Sequence, residues 1–374
     1  MPPLARRNLF HDRVRLTVTL TGIVFAVVLI VVELGLFVGF TTTTSNLIDH
    51  SGADLWVTSQ HVPYIEQGVA FSERKLYQVR ATPGVEKADK VVVAWGEWQH
   101  PDGRRESVQV VGIDPDEPFL QPWNLVEGTV DDLKQPDAII LDEMYKKKLG
   151  VNGIGQVFEI NGHRARVVGF THGIRTFTTA PYVFTRFKPA QGYARIPEEK
   201  TVYILVRISP GENLEQVRAA ISSRVTDVEV LTTPEFSRMT RFYWMFTTGA
   251  GVAVLLAALL GLVVGFVVVA QTIYATTMDH LKEFGTLKAM GAPNSYVYKV
   301  ILTQAAISAV IGYVLGMIVS AFVVQASQHG GAAILLPWPM AVGMFFLTLL
   351  MCTGAALVSI NKVTRLDPAM VFKG

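Results

Sequence analysis

The stretch DHLKEFGTLKAMGAP, Asp279 to Pro293, decides how the rest of the chain is read. It is an island of charge between two long runs that carry none. From Phe242 to Met278, 37 residues pass without an Asp, Glu, Lys or Arg, and between Lys299 and Lys362 another 62 do so. A helix crosses the ~30 Å hydrocarbon core with roughly 20 apolar residues, so the second run holds two spans. The segment Gln325–Pro339, QASQHGGAAILLPWP, is the break between them.

A further apolar run lies near the start. It is uncharged from Leu16 to Val32 and then holds Glu33. Arg6, Arg7, Arg13 and Arg15 precede it, as in a secretory signal, but the run is too long for a signal core. No A-x-A-like cleavage site follows before Thr41–Ser45, which makes it an anchor. Four spans are therefore expected at 16–40, 244–274, 300–324 and 340–360. Lys and Arg near span ends set orientation. The N-terminal segment has four, the loop from Asp279 to Lys299 three, the tail from Lys362 three, and the Gln325–Pro339 loop none. Both termini and the 275–299 loop thus face the cytoplasm, with 41–243 and 325–339 outside. Residues 1–15 read as an amphipathic helix on the cytoplasmic face, its arginines against membrane lipid, and 361–374 as a cytoplasmic tail. The expected class is an α+β membrane protein, multi-pass in the cell inner (plasma) membrane. It has four transmembrane helices and a large mixed α/β extracytoplasmic domain between the first two.

Only 17% of the residues are charged and the formal net charge is +2, so there is no basic stripe for nucleic acid. With Cys352 as the one cysteine, neither an internal disulfide nor a cysteine metal cluster can form, and a small apolar packing role is expected.

The outer segment alternates strand and helix signals. FSERKLYQVRATPG suggests a helix capped by Ser72. ESVQVVGIDP and RARVVGFTHG read as strands, with a hairpin turning at Asn161–Gly162. TVYILVRISPG, NLEQVRAAISSRV and DVEVLTTPEF read as strand, helix, strand. Residues 45–95 and 200–237 are expected to pack together, with 96–199 as a β-rich insert. Nothing in this segment has enzyme chemistry. His50, His61, His100, His163 and His172 lack ligand spacing, and DPDEP at Asp114–Pro118 reads as a solvated turn. GVNGIGQ at Gly150–Gln156 lacks the Lys and Ser/Thr of a phosphate loop and follows a helix instead of a strand. No catalytic residue, metal site or cofactor is expected on this chain.

No G-x-x-x-x-G-K-[ST] occurs anywhere, and no cytoplasmic segment is long enough for a nucleotide-binding domain. Ion-driven carriers generally show more spans and several intramembrane acids, whereas Glu33 is the one embedded here. A separate ATPase docking on the cytoplasmic face is the favoured motor. In the charged island, Met278, Leu281, Phe284, Leu287 and Met290 form an apolar stripe flanked by Lys282, Glu283 and Lys288, and Gly291 with Pro293 is a helix stop. An interfacial helix in the headgroups explains the stripe and the lysines, but not Glu283 and Gly285.

EFGTLKAMGA, Glu283–Ala292, resembles the E-I-G-x-x-K/R-A-x-G signature of FtsX/MacB-like ABC transporter permeases, with Phe284 in place of Ile. The one-plus-three span order is similar over the entire chain. FSERKLYQ, VVGIDPDEP and the terminal RLDPAMVFKG resemble DevC-type members. The resemblance implies that Asp279, Leu281, Lys282, Glu283, Phe284, Gly285, Leu287, Lys288, Ala289 and Gly291 form a coupling helix seated in a groove of the ATPase. It further implies two permease copies working with two ATPase chains that hold ATP and Mg. In a diderm host, a periplasmic membrane-fusion adaptor would join them. The cargo classes implied are lipid, glycolipid, antibiotic, peptide or haem, moved by mechanotransmission. The alternative is an FtsX-like permease that regulates an outer enzyme or sensor and moves no cargo. The run from Phe242 to Met278, taken as one helix, would be a lever of about 55 Å at 1.5 Å per residue. Two intramembrane features complete the candidates. Glu33 is an ionisable residue facing substrate, a partner helix or the outer interface. Gly261 and Gly265 form a G-x-x-x-G pattern suited to close helix packing, including a dimer contact.

Overall fold

Most of the charge-poor sequence is helical among the described residues. The computed structural model describes residues 13–279, 283, 285–286, 290–327 and 334–364. Its longer helices are α1 (Arg13–Thr44), α2 (Lys75–Arg80), α3 (Phe187–Tyr193), α4 (Leu214–Arg224), α5 (Thr233–Phe242), α6 (Ala250–Asp279), α7 (Asn294–Ser327) and α8 (Trp338–Thr364). Four stretches are long and apolar enough to cross a membrane: Leu16–Thr44, Ala250–Asp279, Asn294–Ser327 and Trp338–Val358. Internal contacts divide the chain into two units, Met1–Gly39 with Val252–Gly374, and Phe40–Gly251.

In the first unit the buried core is aliphatic: Ile23, Val27 and Ile30 of α1, Val269 and Ile273 of α6, Val300 and Ala305 of α7, Met351 and Cys352 of α8. Cys352 is fully buried, as an apolar packing residue should be. Tyr313 of α7 satisfies its hydroxyl by donating to the Ala341 carbonyl of α8 at 2.8 Å.

The second unit contains twelve strands: β1 (Leu55–Thr58), β2 (Phe71–Ser72), β3 (Val85–Gln99), β4 (Arg105–Ile113), β5 (Leu125–Glu127), β6 (Ala138–Asp142), β7 (Val157–Ile160), β8 (His163–Thr171), β9 (Tyr182–Arg186), β10 (Lys200–Thr201), β11 (Tyr203–Ile208) and β12 (Glu229–Thr232). The main sheet runs β12-β1-β11-β3-β4-β9-β6-β8-β5, and β7 pairs with both β8 and β3. Those last pairings close β3, β4, β9, β6, β8 and β7 into a ring. Closure removes the open edges that would otherwise template aggregation.

The long strand β3 belongs to both parts. Its first half pairs with β11 and its second half with β4 and β7. Along β1, Leu55 and Val57 enter a core with Leu76 and Val79 of α2 and Val217 and Ile221 of α4, while Trp56 enters the larger core containing the ring. β11 alternates likewise, Ile204 and Val206 against Tyr203 and Leu205. Burial on both faces explains why these strands read as unbroken apolar runs.

The hairpin expected at Asn161–Gly162 is present. β7 and β8 pair antiparallel across it, with φ of +51° and +81° at the two turn residues. That is the left-handed pair a tight hairpin turn requires. Two local readings need correction. The helix expected from Ser72 starts at Lys75, because Phe71 and Ser72 are drawn into strand pairing with Thr201 and Lys200. The uncharged run from Phe242 is not a single helix. α5 passes into a π-helical turn, Tyr243–Thr247, and the path breaks at Thr248–Gly249, where Gly249 has φ +75°. The Thr248 hydroxyl donates to the Trp244 carbonyl at 2.8 Å and faces the Ala250 N–H at 3.2 Å, so a new helix starts there. α6 alone is about 45 Å long.

Candidate functional site

The charged island begins where α6 ends, at Asp279. Glu283, Gly285 and Thr286 are helical, and Glu283 is exposed. The Met290 N–H donates to the Thr286 carbonyl at 3.0 Å, and Gly291 then takes φ +89°. This left-handed residue stops the turn, and α7 starts three residues later at Asn294. Leu281, Lys282, Phe284, Leu287, Lys288 and Ala289 lie outside the described residues. Beside the end of α6, Val14 and Val18 of α1 with Gln271, Thr272, Ala275, Thr276 and Asp279 line a groove of about 330 Å³. Thr19 and Thr276 share a hydrogen bond of 2.9 Å next to it.

Glu33 is half-buried on α1. A β-carbon on Gly261 would lie 3.1 Å from Glu33 Cγ, so the carboxylate's stem rests on the glycine. Gly265, one turn on, leaves room for Ile30, whose Cδ1 would be 2.9 Å from an added β-carbon. The G-x-x-x-G notch is therefore filled by α1 of the same chain. A second such pattern, Gly312-x-x-x-Gly316 on α7, does the same for Ile23 and Val27. Sequence reading missed it although the spacing is identical. α1 is thus packed against small-residue notches on two neighbours, the arrangement by which helices gain contact where lipid offers no hydrophobic driving force.

In the outer unit the histidines are scattered, not gathered. His50 stacks on Trp123 at 4.3 Å, His100 Nδ1 meets Asp102 at 2.6 Å and His172 Nδ1 meets Glu143 at 2.5 Å. Among the described residues no group of His, Cys, Asp and Glu could hold a metal. Asp114 of DPDEP accepts the Asp116 N–H at 3.1 Å, the self-closing bond of a turn. Gly150 at φ +70° ends a one-turn helix instead of cradling a phosphate. Asp142, buried at the end of β6, accepts from the Ile174 and Met144 N–H groups and the Thr171 hydroxyl, and so holds the 172–174 loop in place. Burial pushes its carboxyl up from the usual range, against the pull of those bonds. These are structural roles.

Residues 16–224 match the MacB-like periplasmic core domain and residues 235–368 the FtsX-like permease C-terminal domain. The chain belongs to the FtsX/MacB-like ABC transporter permease family. An uncharacterised ABC transporter permease of Mycobacterium tuberculosis is 23% identical over 380 residues, covering 99% of both chains. The Escherichia coli macrolide export ATP-binding/permease protein MacB is 22% identical over 395 residues, covering 98% of this chain and 59% of MacB. The crystal structure of the periplasmic region of MacB from Actinobacillus actinomycetemcomitans aligns with 52% of this chain and 94% of its own, at 13% identity and a TM-score of 0.39. As a permease, this protein is a non-catalytic, multi-pass membrane subunit of an ABC transporter, and that membership implies an ATPase partner. The FtsX-like match, residues 235–368, spans the charged island.

Proposed function

We propose that this permease couples ATP hydrolysis on a separate pair of ATPase chains to export or extraction of a substrate from the membrane or the outer compartment. The reading is supported by the charged sequence Asp279–Pro293, in which Glu283, Gly285 and Thr286 are helical and Gly291 is left-handed, set between two membrane-length helices. Asp279, Leu281, Lys282, Glu283, Phe284, Gly285, Leu287, Lys288, Ala289 and Gly291 form the docking element, with Glu283 and Lys288 as polar contacts and Gly285 allowing close backbone approach. Two permease copies work together, and the outer domain responds to ATPase closure by a change of conformation. In a diderm envelope the outer domain engages a membrane-fusion adaptor.

Co-purification with the ATPase and nucleotide-driven export from cells test this directly. Glu283→Ala with Gly285→Trp is expected to abolish both the association and the export. Retention of both would refute the docking assignment. Unchanged efflux together with altered cell-wall hydrolysis, in cells lacking the permease, would instead establish the FtsX-like signalling alternative.

A further inference from the structure

The chain leaves the outer unit through a stretch whose two sides differ. α5 buries Phe236, Ser237 and Thr240, and the π-helical turn Tyr243–Thr247 follows it. On the inner side of that turn, Tyr64 stacks on Tyr243 at 4.2 Å. Trp244 and Gln109 of β4 face the Glu66 carboxyl of the Ile65–Gln67 turn, which burial pushes up from 4.5 to about 7. The other side is bare. Arg238, Phe242 and Phe246 recur every four residues and all are exposed, Phe242 at 59% and Phe246 at 56%. On a helix that spacing makes one stripe. The two rings lie 4.9 Å apart and so form a single apolar surface, with the arginine at its far end.

Three contacts inside the unit Phe40–Gly251 fix where this stripe lies along the first span. Arg241 Nε donates to Ser45 Oγ at 2.7 Å, and Ser45 is the residue that follows the span Leu16–Thr44. Phe177 packs against Phe40, near the end of that span, at 5.5 Å and against Trp244 at 4.3 Å. A β-carbon on Gly251, in the first turn of α6, would lie 3.0 Å from Phe40 Cε1. Positions 241 to 251 therefore lie beside residues 40–45, the outer end of the first span.

Two neighbouring phenylalanines left open by a fold call for something to cover them. At this depth that cover is lipid. The first span has 29 residues and is about 44 Å long, more than the ~30 Å hydrocarbon core, so its end reaches the headgroup layer. Tyrosine and tryptophan collect in that layer, as Tyr64, Tyr243 and Trp244 do here. Phe242 and Phe246 carry no polar atom, and their favourable surroundings are the acyl chains just beneath it. Arg238 stands back from the span on the same stripe, about 6 Å from Phe242 and about 12 Å from Phe246 along the axis. An interfacial helix buries its apolar face roughly 5–10 Å into the headgroup–acyl boundary, so this offset sets the guanidinium at phosphate level. Arg241 is held by Ser45, Ser237 and Asp49, whereas no ion pair engages Arg238 among the described residues.

We propose that Arg238, Phe242 and Phe246 form a seat for an outer-leaflet phospholipid: the two rings lie against its acyl chains and the Arg238 guanidinium holds its phosphate. A planar guanidinium matches two phosphate oxygens at once, which makes arginine suited to this headgroup. Continuity with the spans favours lipid over a second protein, because the stripe meets the outer ends of two membrane-length helices, α1 and α6. The seat also lies just before the break at Thr248–Gly249, so the bound lipid holds the turn at which α5 gives way to α6.

The test uses the full-length protein with the photoreactive benzoylphenylalanine in place of Phe242 or Phe246. It is irradiated in nanodiscs of phosphatidylethanolamine and phosphatidylglycerol, and mass spectrometry identifies what each position captures. Phospholipid adducts are expected at both. The same protein in detergent is then titrated with phosphatidylglycerol, and adduct yield gives a half-saturating concentration. In the Arg238→Gln background that concentration should rise about fivefold, the loss of one cation at the headgroup. Because Arg238 is exposed, this change leaves the folded unit intact, which an unaltered urea midpoint checks. Capture of a second copy of the chain or another protein in place of lipid, the absence of lipid adducts, or an Arg238→Gln titration that matches the parent would each overturn the seat.

Discussion

Asp89 is a second acidic side chain that the fold holds against its preference, and replacing it gives a result whose sign can be worked out. It lies on β3 at 5% exposure, with Arg80 Nη2 of α2 at 3.2 Å. Burial pushes its carboxyl from 3.8 to about 6, Asp114 and Glu117 add to the rise, and the Lys90 N–H and Arg80 oppose it. A rise of about two pH units corresponds to about 3 kcal/mol held against folding once the group ionises. An Asn at this position forgoes the Arg80 ion pair and buries an amide NH2 in place of a carboxylate oxygen, which reduces the expected gain to about 1–2 kcal/mol. The contribution has the raised-pKa sign: stability present below about pH 3.8 is lost as pH rises through about 6. Asn at this position carries no charge and keeps an acceptor for the Lys90 N–H and Arg80. Asp89→Asn is therefore expected to stabilise the outer unit by about 1–2 kcal/mol near pH 7.5, and to lose that advantage near pH 4. Urea unfolding of the full-length protein in detergent measures this. Five of the six tryptophans, all except Trp338, lie in Phe40–Gly251, so fluorescence reports that unit. With a urea slope of about 1–3 kcal/mol per molar, the midpoint should rise by about 0.5–1 M. Using the Glu66→Gln background leaves Asp89 as the titrating group under study. Equal destabilisation at both pH values would refute the reasoning, since the Arg80 ion pair would then outweigh the desolvation.

Packing and turn geometry give two further outcomes. Gly265→Leu drives a side chain into Ile30 and Ala26 and should cost about 1–3 kcal/mol, seen as earlier thermal aggregation in detergent, whereas Gly343→Leu, with no atom within 4 Å of its β-carbon, should be neutral. Gly162→Val places a β-branched residue at φ +81° and should lower the urea midpoint of the outer unit by the equivalent of about 1–2 kcal/mol, with full-strength binding to the ATPase retained.

The spans were legible because charge in hydrocarbon is costly, so its absence over tens of residues is itself a signal. The Asn161–Gly162 hairpin was legible because its cause is local. The break at Thr248–Gly249 was hidden because apolar composition continues through it, although a glycine after a capping threonine was the available sign. Ser72 was misread as a cap because its partner, Lys200, lies far along the chain, and no local pattern announces that pairing. Ring closure through β7 and the sharing of β3 between two cores are likewise choices among non-local pairings. The burial of Glu66 had no sequence sign at all: an acid in a short turn next to glycine normally faces water, and only Tyr203, Gln109 and Trp244, brought from three other elements, enclose it. Of the docking residues, the signature was legible and named the family, while most of the side chains fall outside the described residues.

The position of β1 sets an order on biogenesis. It emerges outside early, yet both of its neighbours in the sheet, β11 and β12, are supplied by residues 203–232. The six ring strands lie between them in sequence, so they can complete their own pairing while β1 waits with Trp56 uncovered. Closing so long a loop is slow, and an unpaired apolar strand invites misassembly in the meantime. A chain stalled in translocation before Tyr203 would thus present a finished ring beside a sticky, unclaimed N-terminal strand, a form that quality-control proteases outside the membrane could recognise by that strand.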